Sequence, residues 1–142
     1  MSAYKKIQCE IVDKNSLLEA LSLLGFEPNI FDNPQNLRGY MNDSRKEQAE
    51  IIVPKEQIND KFTKASNDIG FSWNENAKKY DFYCSDYDKV MKMDSRIYQV
   101  YVKVVLEKSL AKNGYKIKVN IEDEDLQRKA SSVIEISARK II

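Results

Sequence analysis

Ile69, Phe71 and Trp73 alternate with Asp68, Gly70 and Ser72. A period of two sends successive side chains to opposite sides of a sheet, so the stretch from Asp68 to Asn74 requires a sheet with at least one covered face. Gly70 leaves a gap on the reverse face where a neighbouring backbone can approach. Weaker copies of the alternation lie at Ile7, Cys9 and Ile11, at Tyr80 to Cys84, at Tyr115 to Ile121 and at Val133 to Ile136. Ala49 to Val53 reads as a short strand closed by Pro54. The residues from Asn74 to Lys78 suit an antiparallel hairpin loop.

Ser16-Leu17-Leu18-Glu19 has the form of a capping box, Leu17, Ala20, Leu21 and Leu24 make a helical stripe, and Gly25 followed by Pro28 stops it. A second helix is predicted from Asp94 to Asn113. Val100, Val102, Val104 and Val105 favour strand, but the absence of Gly and Pro, an Asp94-Ser95 cap and polar Gln99, Lys103 and Glu107 at intervals of four decide for helix. Polar residues occupy only a narrow stripe, and Ile97, Tyr98, Val100, Tyr101, Val104, Val105 and Leu106 cover much of the rest. Either the fold wraps this helix on two sides or part of it meets a partner. Tyr101 and Val104 are expected to share one core with Ile69, Phe71 and Trp73.

Between Glu27 and Lys46 the chain is rich in Asn, Asp, Pro and Gly without periodicity, which predicts a long surface excursion. Lys55 to Asn67 is polar, with one helical turn near Gln57 to Phe62. The order of elements implies one α+β domain over residues 1–142. Its expected form is a mainly antiparallel sheet of about six strands with two helices on one face, a ferredoxin-like or related sandwich.

The 142 residues contain no histidine. Ser-His-Asp and Cys-His catalysis, the H-E-x-x-H zinc site and imidazole proton shuttling are therefore excluded together. Lys+Arg 23 against Asp+Glu 22 gives a formal charge of +1, which exerts no general pull on polyanions, so nucleic acid is not an expected partner. Cys9 and Cys84 are too few and too far apart for a zinc ribbon or a C-x-x-C redox pair, and two lone cysteines suit a reducing compartment. No apolar run is long enough for a membrane span, and the amino terminus lacks the h-region of a signal peptide. A cytoplasmic location is expected, or the stroma for a plastid-encoded chain.

Each candidate for chemistry has a plain alternative. Glu122 to Asp125 with Asp86 and Asp88 suggest a divalent cation, but without a glycine for a calcium loop they read as a solvated acidic turn, and neither a metal nor a cofactor is expected. Cys84 as a nucleophile would need a lysine or a helix amino terminus to activate it; a core thiol is the simpler reading. Arg38 beside Gly39 and Tyr40 has the fork that suits an oxyanion, or else it makes a hydrogen-bonded corner. Phe71, Trp73, Tyr80, Phe82 and Tyr83 near Lys78 and Lys79 would stack single-stranded bases if they lay on the sheet face opposite the helices; otherwise they are core.

Leu37-Arg38-Gly39-Tyr40, Asp68 through Asn74 followed by Tyr80, and the helix ending at Asn113-Gly114-Tyr115 resemble a family of small proteins of cyanobacteria, other bacteria and red-lineage plastids. It is known as hypothetical chloroplast reading frame thirty-five. The resemblance runs from about Tyr4 to Tyr115, with Val133 to Arg139 also in place. Gln99 and Tyr101 are similar to that family's Gln-Arg-Tyr motif with Val100 replacing the arginine, and Lys103 and Val104 stand where it tends to have Tyr and His. The segments around Asn29 to Asn36 and Pro54 to Ser66 are longer than in the family. The resemblance carries no established activity; a frequent neighbourhood with an AAA-type ATPase implies an accessory protein of a larger assembly.

These readings converge on a non-enzymatic accessory or adaptor protein that contacts a protein partner or a second copy of itself, with Tyr98, Val102 and Leu106 as contact residues. A single-stranded nucleic-acid module and a small-molecule-binding domain are the alternatives. Arg38, Tyr40, Asp68, Trp73 and Tyr101 are the candidate ligand-binding residues; no catalytic residue is assigned.

Overall fold

The structure, a computed structural model, describes residues 3–62 and 65–112. Strands β1 (Tyr4–Ile7), β2 (Asn29–Arg38), β3 (Ser44–Val53), β4 (Ile69–Asn74) and β5 (Lys79–Ser85) form one open antiparallel sheet in the order β1-β5-β4-β3-β2. Helices are α1 (Lys14–Leu23), α2 (Lys55–Lys61), α3 (Asp86–Val90) and α4 (Met93–Lys112). The fold is α+β, as the order of patterns requires. Five strands and four helices among the described residues depart from the expected count; the strands predicted at 115–121 and 133–136 lie outside those residues.

Helices α1 and α4 cover one sheet face. Leu17, Ala20 and Leu21 of α1 and Ile97, Tyr101 and Val104 of α4 share a core with Ile51, Val53, Ile69, Phe71, Phe82 and Cys84. Phe71 and Phe82 are paired across the β4–β5 ladder with ring centroids 4.6 Å apart, each burying enough apolar surface to stabilise the fold by about 1.5–3 kcal/mol. Trp73, expected in this core, is instead 37% exposed. It lies near the hairpin end of β4, packed edge-on against Tyr80 and donating Nε1–H to Glu75 at 2.7 Å. Alternation assigns a side chain to a face but not to the covered part of that face.

Helix α1 begins before the predicted box. Asp13 is its N-cap, its carboxylate accepting the Ser16 N–H at 3.2 Å, because an aspartate acceptor satisfies an orphan amide at the helix start as well as a serine does. At the other end Gly25 has φ +85°. Phe26 N–H donates to Leu21 O at 2.9 Å and Gly25 N–H to Ser22 O at 2.9 Å, the paired bonds of a Schellman closure that favours glycine at this position.

The largest correction concerns Glu27 to Lys46. Most of it is hairpin: β2 and β3 are antiparallel, with a break in register between Ile30 and Gln35. All of β2 up to Asn36 is exposed, so neither face imposes the alternation that announces a strand. Pro34 falls within that break, and among the described residues β2 is at the sheet edge, where a missing backbone N–H is tolerated.

The end of β2 reaches the reverse face of the sheet. Leu37, Ala49 and Ile52 form a small second cluster there with Tyr4 and Tyr83. A Cβ on Gly70 would come within 2.8 Å of Leu37 Cδ2 and 2.9 Å of Ala49 Cβ. The gap foreseen at Gly70 is thus filled, by side chains of β2 and β3.

Candidate functional site

Three consecutive polar residues before β4 tie different parts of the fold together. Ser66, Asn67 and Asp68 are all buried, and a buried polar group must find partners to offset lost hydration. Ser66 Oγ lies 2.7 and 2.6 Å from the two carboxylate oxygens of Asp88 in α3. Asn67 Oδ1 accepts the Tyr40 N–H at 2.9 Å. Asp68 binds the Arg38 end of β2.

That last contact is a charged arrangement with a full set of partners. Arg38 Nε donates to Asp68 Oδ2 and Nη2 to Oδ1, both at 3.0 Å, a bidentate fork of the kind that makes guanidinium–carboxylate pairs specific. The Arg38 N–H also donates to Oδ2 at 2.9 Å and the Lys55 N–H to Oδ1 at 2.8 Å. Four donors use the acceptor sites that a carboxylate offers. Arg38 turns the rest of its fork to Glu56, with Nη2 2.7 Å from Oε1 and Nη1 3.3 Å from Oε2. Hydrogen bonding to Arg38 holds the Glu56 carboxyl down at about 2. Tyr4 closes the corner, its hydroxyl 2.6 Å from Asp68 O and 3.1 Å from Arg38 O; burial first, and the charge of Asp68 second, raise its pKa well above the ordinary phenol value.

This corner joins the ends of β2 and β4 to the start of α2 and leaves Arg38 little capacity for an external oxyanion. The structure brings Arg38 and Asp68 together with the backbone of Tyr40, whose ring is exposed. Trp73 and Tyr101 lie elsewhere. Tyr101 is buried in α4, its hydroxyl oxygen accepting the N–H groups of Val12 and Asp13 at 3.0 and 3.1 Å. Tyr98 does the same for the Glu10 N–H at 3.3 Å. Both tyrosines therefore hold the segment leading into α1.

Val102 and Leu106 are each 2% exposed, and Tyr98 is half-buried. Of the three residues expected to form a contact face, Val102 and Leu106 are thus covered by the chain itself, and Tyr98 in part. Phe71, Tyr80 and Phe82 are buried on the helix side, away from any solvent face for base stacking. Lys78 pairs with Glu75, and Lys79 Nζ lies 3.3 Å from Glu10 Oε1.

Asp88 is another correction. It is not part of a solvated turn but fully buried, with its N–H donating to Ser85 Oγ at 3.0 Å. Burial raises its pKa, opposed by the hydroxyls of Ser66 and Ser85 and reinforced by Asp86 and Asp94. Its position was readable from the Ser-x-x-Asp spacing of Ser85 to Asp88, a variant of the capping pattern. Cys9 and Cys84 are free and buried; burial pushes the Cys9 thiol up to about 12 and Cys84 higher still, the opposite of an activated thiolate. Among the described residues no cluster of His, Cys, Asp or Glu could hold a metal ion, and no helix is long and apolar enough to cross a membrane.

Among the described residues, β2 also presents exposed surface. Ile30 and Phe31 are 50% and 38% exposed, and Phe31 separates two clefts. One, of about 430 Å³, runs past Asn29, Gln35 and Asn36 to the Arg38–Glu56 pair. The other, of about 230 Å³, lies among Lys14, Ile30, Asp32, Glu50, Ile51 and Tyr80. Sequence reading missed this face because a polar, aperiodic segment looks the same whether it is a loop or an exposed strand.

Fold and site together define a small α+β protein whose described residues form a self-satisfied charged corner and an exposed edge strand. The chain belongs to the family described as protein of unknown function (DUF1257), whose model matches residues 20–129. No curated protein and no solved structure matches it.

Proposed function

We propose that this chain is a non-enzymatic accessory protein that binds another protein through β2. What supports the reading is the pairing of an edge strand with exposed Ile30 and Phe31 and a cleft on either side of the ring. Edge strands accept extended segments through main-chain hydrogen bonds, and flanking pockets select their side chains. The resemblance to the chloroplast reading-frame family suggests an AAA-type ATPase assembly as the partner and a cyanobacterial or plastid setting. Its kinship to ferredoxin-like sandwiches belongs to the same proposal. The nucleic-acid and small-molecule readings have less support, because the aromatic rings of β4 and β5 are largely turned inward and Arg38 is already paired.

The test is a photo-crosslinking phenylalanine analogue at Phe31, compared with one at exposed Met41 on the β2–β3 turn, in cells that express the chain naturally. A crosslink from position 31 to one defined protein, absent from position 41, is the expected result. Equal patterns from both positions, or none from position 31, would remove the β2 reading.

A further inference from the structure

The smaller cleft beside Phe31 has the chemistry of a cation pocket. Phe31, 38% exposed, and the largely buried Tyr80 line it, and Glu50 and Asp32 set two carboxylates beside the single ammonium of Lys14. Glu50 is the decisive residue. Its Oε2 accepts from Ser72 Oγ at 3.1 Å and its Oε1 from the Trp73 N–H at 3.1 Å, so neutral donors hold the carboxylate in place while no cation pairs with it among the described residues. The β3–β4 ladder ends at Ile51 opposite Phe71, and beyond that point the Glu50 side chain, rather than a strand carbonyl, receives the Trp73 amide. A fixed carboxylate next to aromatic rings attracts an organic cation both by charge and by the ring quadrupole. A volume of about 230 Å³ suits one long side chain rather than a larger ligand.

We propose that this cleft receives a lysine or arginine side chain from an extended segment of the partner protein lying along β2. The inference rests on the β2 docking reading and adds the partner's charge: basic, in a position that alternates with apolar residues facing Ile30 and Phe31. The local excess of carboxylate favours such a partner although the whole chain has a formal charge of +1. Lys14 sits at the same cleft, and an entering cation displaces its ammonium toward solvent.

The chain's single tryptophan provides the readout, because Trp73 packs on Tyr80 with centroids 5.0 Å apart. The full chain is titrated with an acetylated, amidated peptide alternating valine and lysine, and with its counterpart in which norleucine replaces lysine. The expected result is a saturable change in Trp73 fluorescence with the lysine peptide, weakened by salt. Affinity falls about tenfold or more in Glu50→Gln and in Phe31→Ala and is unchanged in Glu56→Gln, which alters only the other cleft. Glutamine at 50 retains an acceptor for the Trp73 amide, and Phe31→Ala, at an exposed position, serves if Glu50→Gln fails to fold. Equal binding of the norleucine peptide, full affinity in Glu50→Gln, or no binding of either peptide would overturn the cation pocket. Equal binding that Phe31→Ala abolishes would still leave β2 as the docking strand, whereas a silent crosslinker at position 31 removes that reading independently.

Discussion

The Arg38–Asp68 corner and the β2 edge are joined through the same strand, yet they treat their polar groups in opposite ways. At the corner the Asp68 carboxylate receives four donors from Arg38 and Lys55, and Arg38 bridges to Glu56. Along the edge, Asn29 to Asn36 stay exposed, and among the described residues Glu50 beneath them is held by neutral donors alone. Charged residues whose bonding capacity is used inside the chain act as structural ties; a carboxylate that meets no cation among the described residues, beside the exposed ring of Phe31, is available to a ligand. Charge in a sequence therefore indicates function poorly until its partners are known.

Substitutions at the two regions should separate stability from binding. The largest effect is expected for Asp68→Ala, which strands two backbone amides and one face of the guanidinium; with Arg38 partly open to water, the loss is about 3 kcal/mol, near the low end for breaking a buried pair. Urea denaturation measures it, and a loss below about 1 kcal/mol would show that the corner is not a structural tie. Gly70→Ala follows, at about 1–3 kcal/mol from crowding Leu37 and Ala49. Because the clash is mutual, Leu37→Ala in the same chain should cost less on top of Gly70→Ala than it does alone.

Trp73→Ala should cost only about 1 kcal/mol, the value of an aromatic contact with Tyr80 at a partly exposed site, and a thermal melt distinguishes this from a core tryptophan, whose loss costs about 3–5 kcal/mol. Smaller still is Glu56→Gln, under about 1 kcal/mol because the carboxylate is mostly solvated. Its pH signature is specific. The folded state depresses the Glu56 pKa from 4.5 to about 2, so its contribution is complete above pH 4.5 and lost as pH falls through about 2. The difference in stability between wild type and Glu56→Gln should close over that interval; a constant difference would refute the ion pair. Phe31→Ala should change stability by no more than about 0.5 kcal/mol, within the range of surface substitutions, while lowering affinity for the lysine peptide by about tenfold or more. A large destabilisation would place Phe31 with the structural residues and erase the contrast.

Several elements are legible in the sequence alone. β4, β5 and α4 lie within a residue or two of their predicted limits, because each has one face that must be buried and therefore a visible period. Gly70 was read as a gap, and Arg38 as either a clamp or a corner. Asp13 as the α1 cap, the β2–β3 hairpin and the burial of Asp88 were not read, since local pattern reports neither a competing acceptor nor partners distant in sequence. Ser66 and Asp88 are 22 positions apart, and Arg38 and Asp68 are 30.

By itself the sequence determined the α+β class, the inward alternation of Ile69 and Phe71, the helical character of α4 and, through the absence of histidine, the chemistry that is ruled out. Tertiary structure alone decided that Trp73 lies outside the core, that Arg38 is occupied and that β2 is an edge strand among the described residues. The physical reason is range. Periodicity and propensity act over a few residues and dictate which side chains must leave water, whereas which groups meet, and which are left uncovered, depends on how distant segments share a finite sheet surface.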